Sequence, residues 1–140
     1  CANVKLEYIA TLSQLKLLDL KECNHVTDED IWGLSSLSEL KELNLRGCNQ
    51  ITGCRLNAVS ALTHLDLTFC TNVNNTGLMS ISKLSQLQHL KLSGCRGFDC
   101  VGLSHIATLP KLSTLSLPKK NIRDANELRD DVKVSVKVSR

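Results

Sequence analysis

Two histidines occupy matching places in the chain and are the first residues whose chemistry must be considered. His64 lies in the segment T-H-L-D-L and His89 in Q-H-L-K-L, 25 residues further on. Imidazoles bind transition metals and transfer protons near neutral pH, and the carboxylates of Glu42 and Asp66 belong to the same pattern. A metal site also needs a third converging ligand and supporting hydrogen bonds. Two interpretations stay open, a metal or acid–base centre and a pair of solvated histidines on a binding face, and the second is favoured.

The cysteines offer a second kind of chemistry. Cys95, Cys100 and His105 are spaced loosely like a zinc knuckle, but Cys95 occupies a repeated position that should point inward. Cys54 and Cys100 lie at predicted helix starts and are the candidates for a reactive thiol, although activated thiols are rare. The sequence has no GxxxxGK phosphate loop, GxSxG nucleophile motif or HExxH motif. We therefore predict a protein that is not an enzyme and that holds no metal or other cofactor.

A repeated leucine pattern must position these residues. The motif LxxLxLxxC occurs four times, and a fifth copy beginning at Leu112 has Lys120 in place of the cysteine. The first leucines of the five copies lie 25, 22, 25 and 25 residues apart, which is the period of a leucine-rich repeat. The prediction is one domain made of a partial repeat, four repeats, and a degenerate repeat with a C-terminal cap, at 1–14, 15–39, 40–61, 62–86, 87–111 and 112–140. Because Cys1 falls in register with the repeat cysteines, we expect the chain to be a fragment of a longer protein.

Each repeat predicts a strand, a turn and a helix. Alternate side chains of a strand face opposite ways, so Leu43 and Leu45 should point inward while Asn44 and Arg46 point outward. Apolar residues spaced by three then follow on one helix face. The residues expected to cap these helices are Thr27, Thr52, Asn74 and Asp99. Stacking such units buries the leucines, which predicts a right-handed α/β leucine-rich repeat solenoid of about five repeats, with a curved parallel sheet inside and helices outside.

The C-terminal segment departs from the pattern. The residues N-I-R-D-A-N-E-L from Asn121 predict a shortened turn and helix start. The stretch from Val132 to Val138 alternates apolar and polar residues and predicts a terminal strand. We interpret the region as a cap; the alternative is a frayed tail.

Composition narrows the class of partner. The net charge is only +3 and aromatic residues make up 3% of the chain, so neither a basic patch nor the stacking platforms of a nucleic-acid binder are expected. No apolar run approaches the ~18 residues of a membrane span. Five of the seven cysteines share one repeat position and should be buried turn residues rather than a disulfide framework. A reducing compartment is therefore expected: the cytoplasm, the nucleus or an organelle matrix.

The consensus LxxLxLxxCxx[IV][TN], followed by an apolar helix, resembles the cysteine-containing subclass of leucine-rich repeats. Examples are the substrate-binding arms of F-box proteins, which are receptors of ubiquitin ligases. The resemblance covers about residues 1–128 and implies either a protein-binding module or, as the alternative, the substrate-recognition arm of such a ligase. The F-box segment itself is not found in these residues.

A mixed polar strip on the concave face is the predicted binding surface. We call it the concave strip; its residues are Arg46, His64, Asp66, Phe69, His89 and Lys91. Phe69 matters most, since aromatics and arginines are favoured as binding anchors, and glycines stand at its position in both neighbouring repeats. Phe69 either projects from the rim or packs into the core. Trp32 should lie on the convex side as a packing residue or a second contact. The expected function is an adaptor or scaffold that binds a protein partner, is monomeric by itself, and contacts neither nucleic acid nor membrane.

Overall fold

A computed structural model describes residues 5–121 and 133–136. Its six strands form one parallel sheet in chain order, because consecutive leucine segments lie side by side. Strands β1 to β6 are Leu17–Asp19, Glu42–Asn44, His64–Asp66, His89–Lys91, Thr114–Leu117 and Lys133–Val136. The predicted terminal strand is thus present over 133–136, where it pairs in parallel with β5. The rest of the predicted cap, 122–132 and 137–140, lies outside the described residues, as do residues 1–4 of the partial repeat.

The helices lie across the leucine core from the sheet. Helices α1 to α4 are Leu6–Ile9, Asp28–Gly33, Asn75–Ile81 and Cys100–Ile106, and 3₁₀ turns occupy Leu34–Ser36, Leu56–Ala58 and Lys119–Asn121. The predicted caps of α3 and α4 are confirmed. The Asn74 side chain accepts a hydrogen bond from the Gly77 amide at 3.0 Å, and the Asp99 side chain accepts one from the Val101 amide at 2.9 Å. Before α2, the Asp30 carboxylate accepts from both the amide and the hydroxyl of Thr27, each at 2.8 Å.

The repeat at 40–61 differs from the predicted strand–turn–helix unit. Its helix is only the 3₁₀ turn Leu56–Ala58, because this repeat is three residues shorter and leaves no room for a second turn. Thr52 therefore does not cap an α-helix, and its hydroxyl instead donates to the Asp28 carboxylate of the preceding repeat at 2.7 Å. The apolar phase survives nevertheless, since Leu56 and Val59 are both buried.

The core is a stack of leucine and cysteine columns. Leu43, Leu65 and Leu90 pair in register across β2, β3 and β4, and all are buried. Three of the repeat cysteines add hydrogen bonds between neighbouring repeats, because each of their thiols donates to a carbonyl of the repeat before it. These bonds join Cys48 to Leu20, Cys70 to Leu45 and Cys95 to Leu67, at 3.1, 3.0 and 3.1 Å. Burial raises the pKa of all three thiols, to about 12 for Cys70, so they are held as neutral donors.

Cys23 departs from the expectation that repeat cysteines are free thiols. It is buried like the others, but it is disulfide-bonded. Cys48, Cys54, Cys70, Cys95 and Cys100 are free. The disulfide was not predicted, because the common repeat position suggested one role for the whole column.

Candidate functional site

The two histidines of the concave strip lie against each other, as their matching repeat positions predict. Parallel register places His64 beside His89, with ring centroids 4.2 Å apart and planes tilted by 33°. Threonine hydroxyls fix both rings at Nδ1: Thr63 at 2.9 Å from His64 and Thr114 at 2.6 Å from His89. Burial, with a smaller repulsion from His64, lowers the pKa of His89, so that ring is neutral at physiological pH.

Asp66 and Lys91 form an ion pair across β3 and β4. The Lys91 ammonium lies 3.1 Å from the Asp66 carboxylate. Burial alone would raise the pKa of Asp66, but hydrogen bonds from the Thr68 hydroxyl and amide, together with Lys91, outweigh it and lower that pKa. Asp66 is therefore a fixed anion whose charge is balanced within the strip.

Phe69 combines features of both predicted alternatives. The side chain is 39% exposed at the rim, yet its ring lies over Gly94 of the next repeat so closely that a Cβ there would collide with it. Its backbone is left-handed, with φ of 62°. The Arg46 guanidinium lies 5.4 Å from the ring centroid, close enough for a cation–π contact. The Phe69 ring thus contacts the repeats on both sides of its own and remains partly exposed.

The concave strip lines two adjoining grooves. One, of about 230 Å³, contains His64 and His89, and the other, of about 350 Å³, contains Arg46 and Phe69; Asp66 and Lys91 border both. All six predicted residues therefore border a groove. Whether they bind a partner stays a prediction.

Sequence reasoning passed over two features of these grooves. Leu17 borders the first groove and is 56% exposed. An apolar residue at an outward strand position was the available signal for it. Buried Ser93 and Ser116 line the second groove and are hydrogen-bonded to each other. Small residues in the sequence gave no hint that a depression would form there.

Comparison with known proteins agrees with this architecture. A family model described as "Leucine Rich repeat" matches residues 61–82, and no curated protein matches the chain in sequence. Two solved structures from Listeria monocytogenes are similar. An internalin (inlF) is 23% identical, with a TM-score of 0.71 over 96% of this chain and 38% of that chain. An internalin C2 (inlC2) is 27% identical, with a TM-score of 0.69 over 94% of this chain and 55% of that chain.

The fold is a leucine-rich repeat solenoid. The predicted fold class is therefore confirmed. The chain spans 38% and 55% of the lengths of the two internalin chains, so the activity and partners of a whole protein are matters of proposal. The matches do not distinguish the cysteine-containing subclass from other leucine-rich repeats.

The leucine-rich repeat solenoid does not bring the suggested zinc residues together. Cys95 is buried and bonded to the Leu67 carbonyl, whereas Cys100 is exposed at the start of α4. Within 5–121 and 133–136, no three histidine, cysteine, aspartate or glutamate side chains converge as a metal site. The histidine pair lacks a third ligand in that part of the chain.

The convex side of the solenoid carries a second aromatic–arginine pair. Trp32 on α2 is 49% exposed, and the Arg55 guanidinium lies 5.2 Å from its ring centroid. This arginine is already occupied, because it also lies 3.4 Å from the Glu29 carboxylate. Across the described ranges, no helix is long and apolar enough to cross a membrane.

Proposed function

We propose that this chain is a non-enzymatic module that binds a protein partner on the concave face of its sheet, as an adaptor or scaffold. The observation that carries the proposal is the register of the concave strip. Third-position residues of neighbouring repeats, such as Glu42, His64 and His89, pair strand by strand. These three residues line the first groove, and Asp66 and Lys91 continue the row into the second.

The inward and outward positions of each strand have different roles, which supports a binding function. In β3, Leu65 is buried in the core, whereas His64 is exposed. The fold therefore depends on Leu65, and the neighbouring outward position is available for contact with another molecule. Parallel strands hold such positions about 4.8 Å apart, which gives a rigid row of polar, charged and aromatic groups without ordering new chain on binding.

A second candidate is the substrate-recognition arm of an F-box-type ubiquitin ligase. The favouring observation is the column of buried thiols, in which Cys48, Cys70 and Cys95 donate to carbonyls of the preceding repeat. The cysteine-containing subclass is defined by this repeat position. Co-purification of the full-length protein with the ligase scaffold tests the candidate, and a full-length gene without an F-box segment rejects it.

An intracellular location belongs to the same proposal. The free thiols Cys54 and Cys100 are exposed, which suits a reducing compartment, whereas the disulfide of Cys23 argues against one. Fractionation of cells that express the full-length protein, with non-reducing electrophoresis of the endogenous chain, decides between a reducing and an oxidising compartment. Recovery of the chain from secreted material with Cys23 oxidised would reject the intracellular assignment.

Site-specific photocrosslinking tests the concave face. A benzophenone amino acid replaces His64 on the concave face in one variant and Trp32 on the convex face in a matched control, since both side chains are exposed. We expect one protein to crosslink from position 64 in a lysate of the source cells and not from position 32. Crosslinking of the same protein from position 32 alone would reject the concave face. Mass spectrometry of the crosslinked band identifies the partner.

A further inference from the structure

We propose that Arg46 and Phe69 together form an anchor for the side-chain carboxylate of an internal aspartate or glutamate in an extended partner segment, with an adjacent apolar residue resting on the Phe69 ring. The inference rests on the proposed function and names the chemistry that the concave strip recognises. Below, the pair is called the Arg46–Phe69 anchor.

The backbone of Phe69 is the first observation. The eighth position is left-handed in four successive repeats, with φ of 59° at Glu22, 74° at Gly47, 62° at Phe69 and 78° at Gly94. Glycine adopts this conformation without penalty, whereas a bulky side chain there is uncommon. The Phe69 ring is nevertheless 39% exposed. An aromatic at a position that disfavours it, and only partly used in packing, indicates a role outside the fold.

The free edge of Arg46 is the second observation. Its guanidinium lies over the Phe69 ring but makes no ion pair or hydrogen bond with any residue in the described part of the chain. Arg55 on the convex side provides the contrast, because it stacks on Trp32 and is already bound by Glu29. A stacked guanidinium presents its N–H groups edge-on, in the geometry that binds a carboxylate through two parallel hydrogen bonds. Among the residues that the structure describes, the concave pair lacks the acidic partner that the convex pair has.

The neighbouring charges select a carboxylate rather than a phosphate. Among the described residues that line the groove, the other cation, Lys91, is held by Asp66 at 3.1 Å, so their one unpaired positive charge is available for the ligand. That charge balances a singly charged carboxylate. A phosphate carries nearly two charges at neutral pH and would lie near the Asp66 carboxylate without a second free cation.

The shape of the groove selects an extended segment. Seventh-position residues change from the long side chains of Lys21 and Arg46 to the small side chains of Thr68 and Ser93. Thr68 and Ser93 are buried and line the groove of about 350 Å³ beside Phe69. Arg46 borders the same depression. An extended peptide backbone can lie along this depression, with its acidic side chain directed to Arg46.

Selection from a peptide library tests the anchor. The full chain is used to select from random twelve-residue peptides displayed with their C-termini fused to a carrier, so that only side chains supply carboxylates. We expect the selected peptides to contain aspartate or glutamate next to an apolar residue. Conversion of that carboxylate to its amide should weaken binding at least tenfold. Arg46→Gln should cause a similar loss, and the two changes together should cost little more than either alone.

Variants of the concave pair and of the matching convex pair provide the controls for this test. Phe69→Gly should weaken the same peptides at least fivefold while retaining the fold by circular dichroism, whereas Arg55→Gln and Trp32→Leu should change binding less than twofold. Selected peptides without a carboxylate, or a carboxylate whose removal adds fully to the Arg46→Gln loss, would overturn the anchor. So would a library that yields no Arg46-dependent binder, or tighter binding after phosphoserine replaces the acidic residue.

Failure of the anchor is distinguishable from failure of the proposed function. If peptide binding is lost in His64→Glu but retained in Arg46→Gln, the concave face is the binding surface and the anchor is wrong. If binding is lost only in the convex variants, both proposals are wrong.

Discussion

Replacement of Phe69 by glycine and by alanine tests the left-handed turn on which the anchor depends. At an ordinary position a variant with glycine is less stable than a variant with alanine by about 0.4–1 kcal/mol, because glycine gives the unfolded chain more conformational freedom. A left-handed backbone costs a non-glycine residue about 1–2 kcal/mol. At a φ of 62° the second effect exceeds the first. We therefore expect Phe69→Gly to be more stable than Phe69→Ala by about 0.5–1 kcal/mol, which reverses the usual order.

Loss of the Phe69 ring determines how much less stable both variants are than the wild type. Full burial of a phenylalanine side chain contributes about 1.5–3 kcal/mol, and Phe69 is 39% exposed, so removal of the ring should cost about 1–2 kcal/mol. The alanine variant bears this whole loss, whereas the glycine variant recovers part of it from the backbone. Urea denaturation, with the free energy of unfolding compared at equal m-values, measures both differences.

The preceding repeat supplies the control. Gly47 has the same left-handed turn, with φ of 74°, so Gly47→Ala should lose stability by at least the same 0.5–1 kcal/mol. A Cβ there would also lie 3.3 Å from Glu22 Cγ. If Phe69→Ala proves more stable than Phe69→Gly, the reasoning about the turn is refuted, and the backbone ceases to indicate a role for the ring.

Three further outcomes follow from packing and ionisation. Gly77→Ala should destabilise by about 1–3 kcal/mol, because its Cβ would collide with the backbone of the preceding repeat; Gly33→Ala, whose Cβ meets nothing within 4 Å, should stabilise slightly in the same denaturation assay. His89 should titrate by NMR below the ordinary value of about 6.5, since burial and then His64 lower its pKa. His64→Ala should raise that midpoint, and an unchanged midpoint would contradict the stacked pair. The unfolded Cys70 thiol ionises above about 8.5 while the folded one, with a pKa of about 12, stays protonated. The free energy of unfolding should therefore fall as the pH rises. Between pH 8 and 10 the fall should be about 1–2 kcal/mol larger in the wild type than in Cys70→Ala.

The leucine spacing was sufficient to predict the sheet and the neighbours within it. A repeat of 25 residues places the same position of each unit on adjacent strands, so the contact between His64 and His89 followed from numbering alone. The caps Asn74 and Asp99 were also readable, because an N-cap is a local contact between a side chain and nearby amides. Local patterns and one translation along the solenoid therefore determine most of the architecture.

Contacts between residues at different repeat positions could not be predicted from the repeat spacing. The stacking of Arg46 on Phe69 depends on a left-handed turn, and the sequence signals that turn only at Gly47 and Gly94. At Glu22 and Phe69 the same backbone is hidden by residue types that rarely adopt it. The 3₁₀ turn of the short repeat was missed for a related reason: the apolar spacing of Leu56 and Val59 records which side chains are buried, not how many helical turns connect them.

Phe69 differs from the other residues of the concave strip in how its backbone conformation restricts the side chain. His64, His89 and Lys91 occupy outward strand positions, where any side chain suited to solvent leaves the leucine core unchanged. Their presence alone therefore cannot reveal function. Phe69 differs because the backbone at its position favours glycine, and because Gly94 must lack a Cβ for the ring to lie where it does. A scan of the concave strip should show binding lost while folding is little affected at every outward strand position. Of the six positions of the concave strip, only position 69 should have a glycine variant that is more stable than the alanine variant, and both variants should lose the partner.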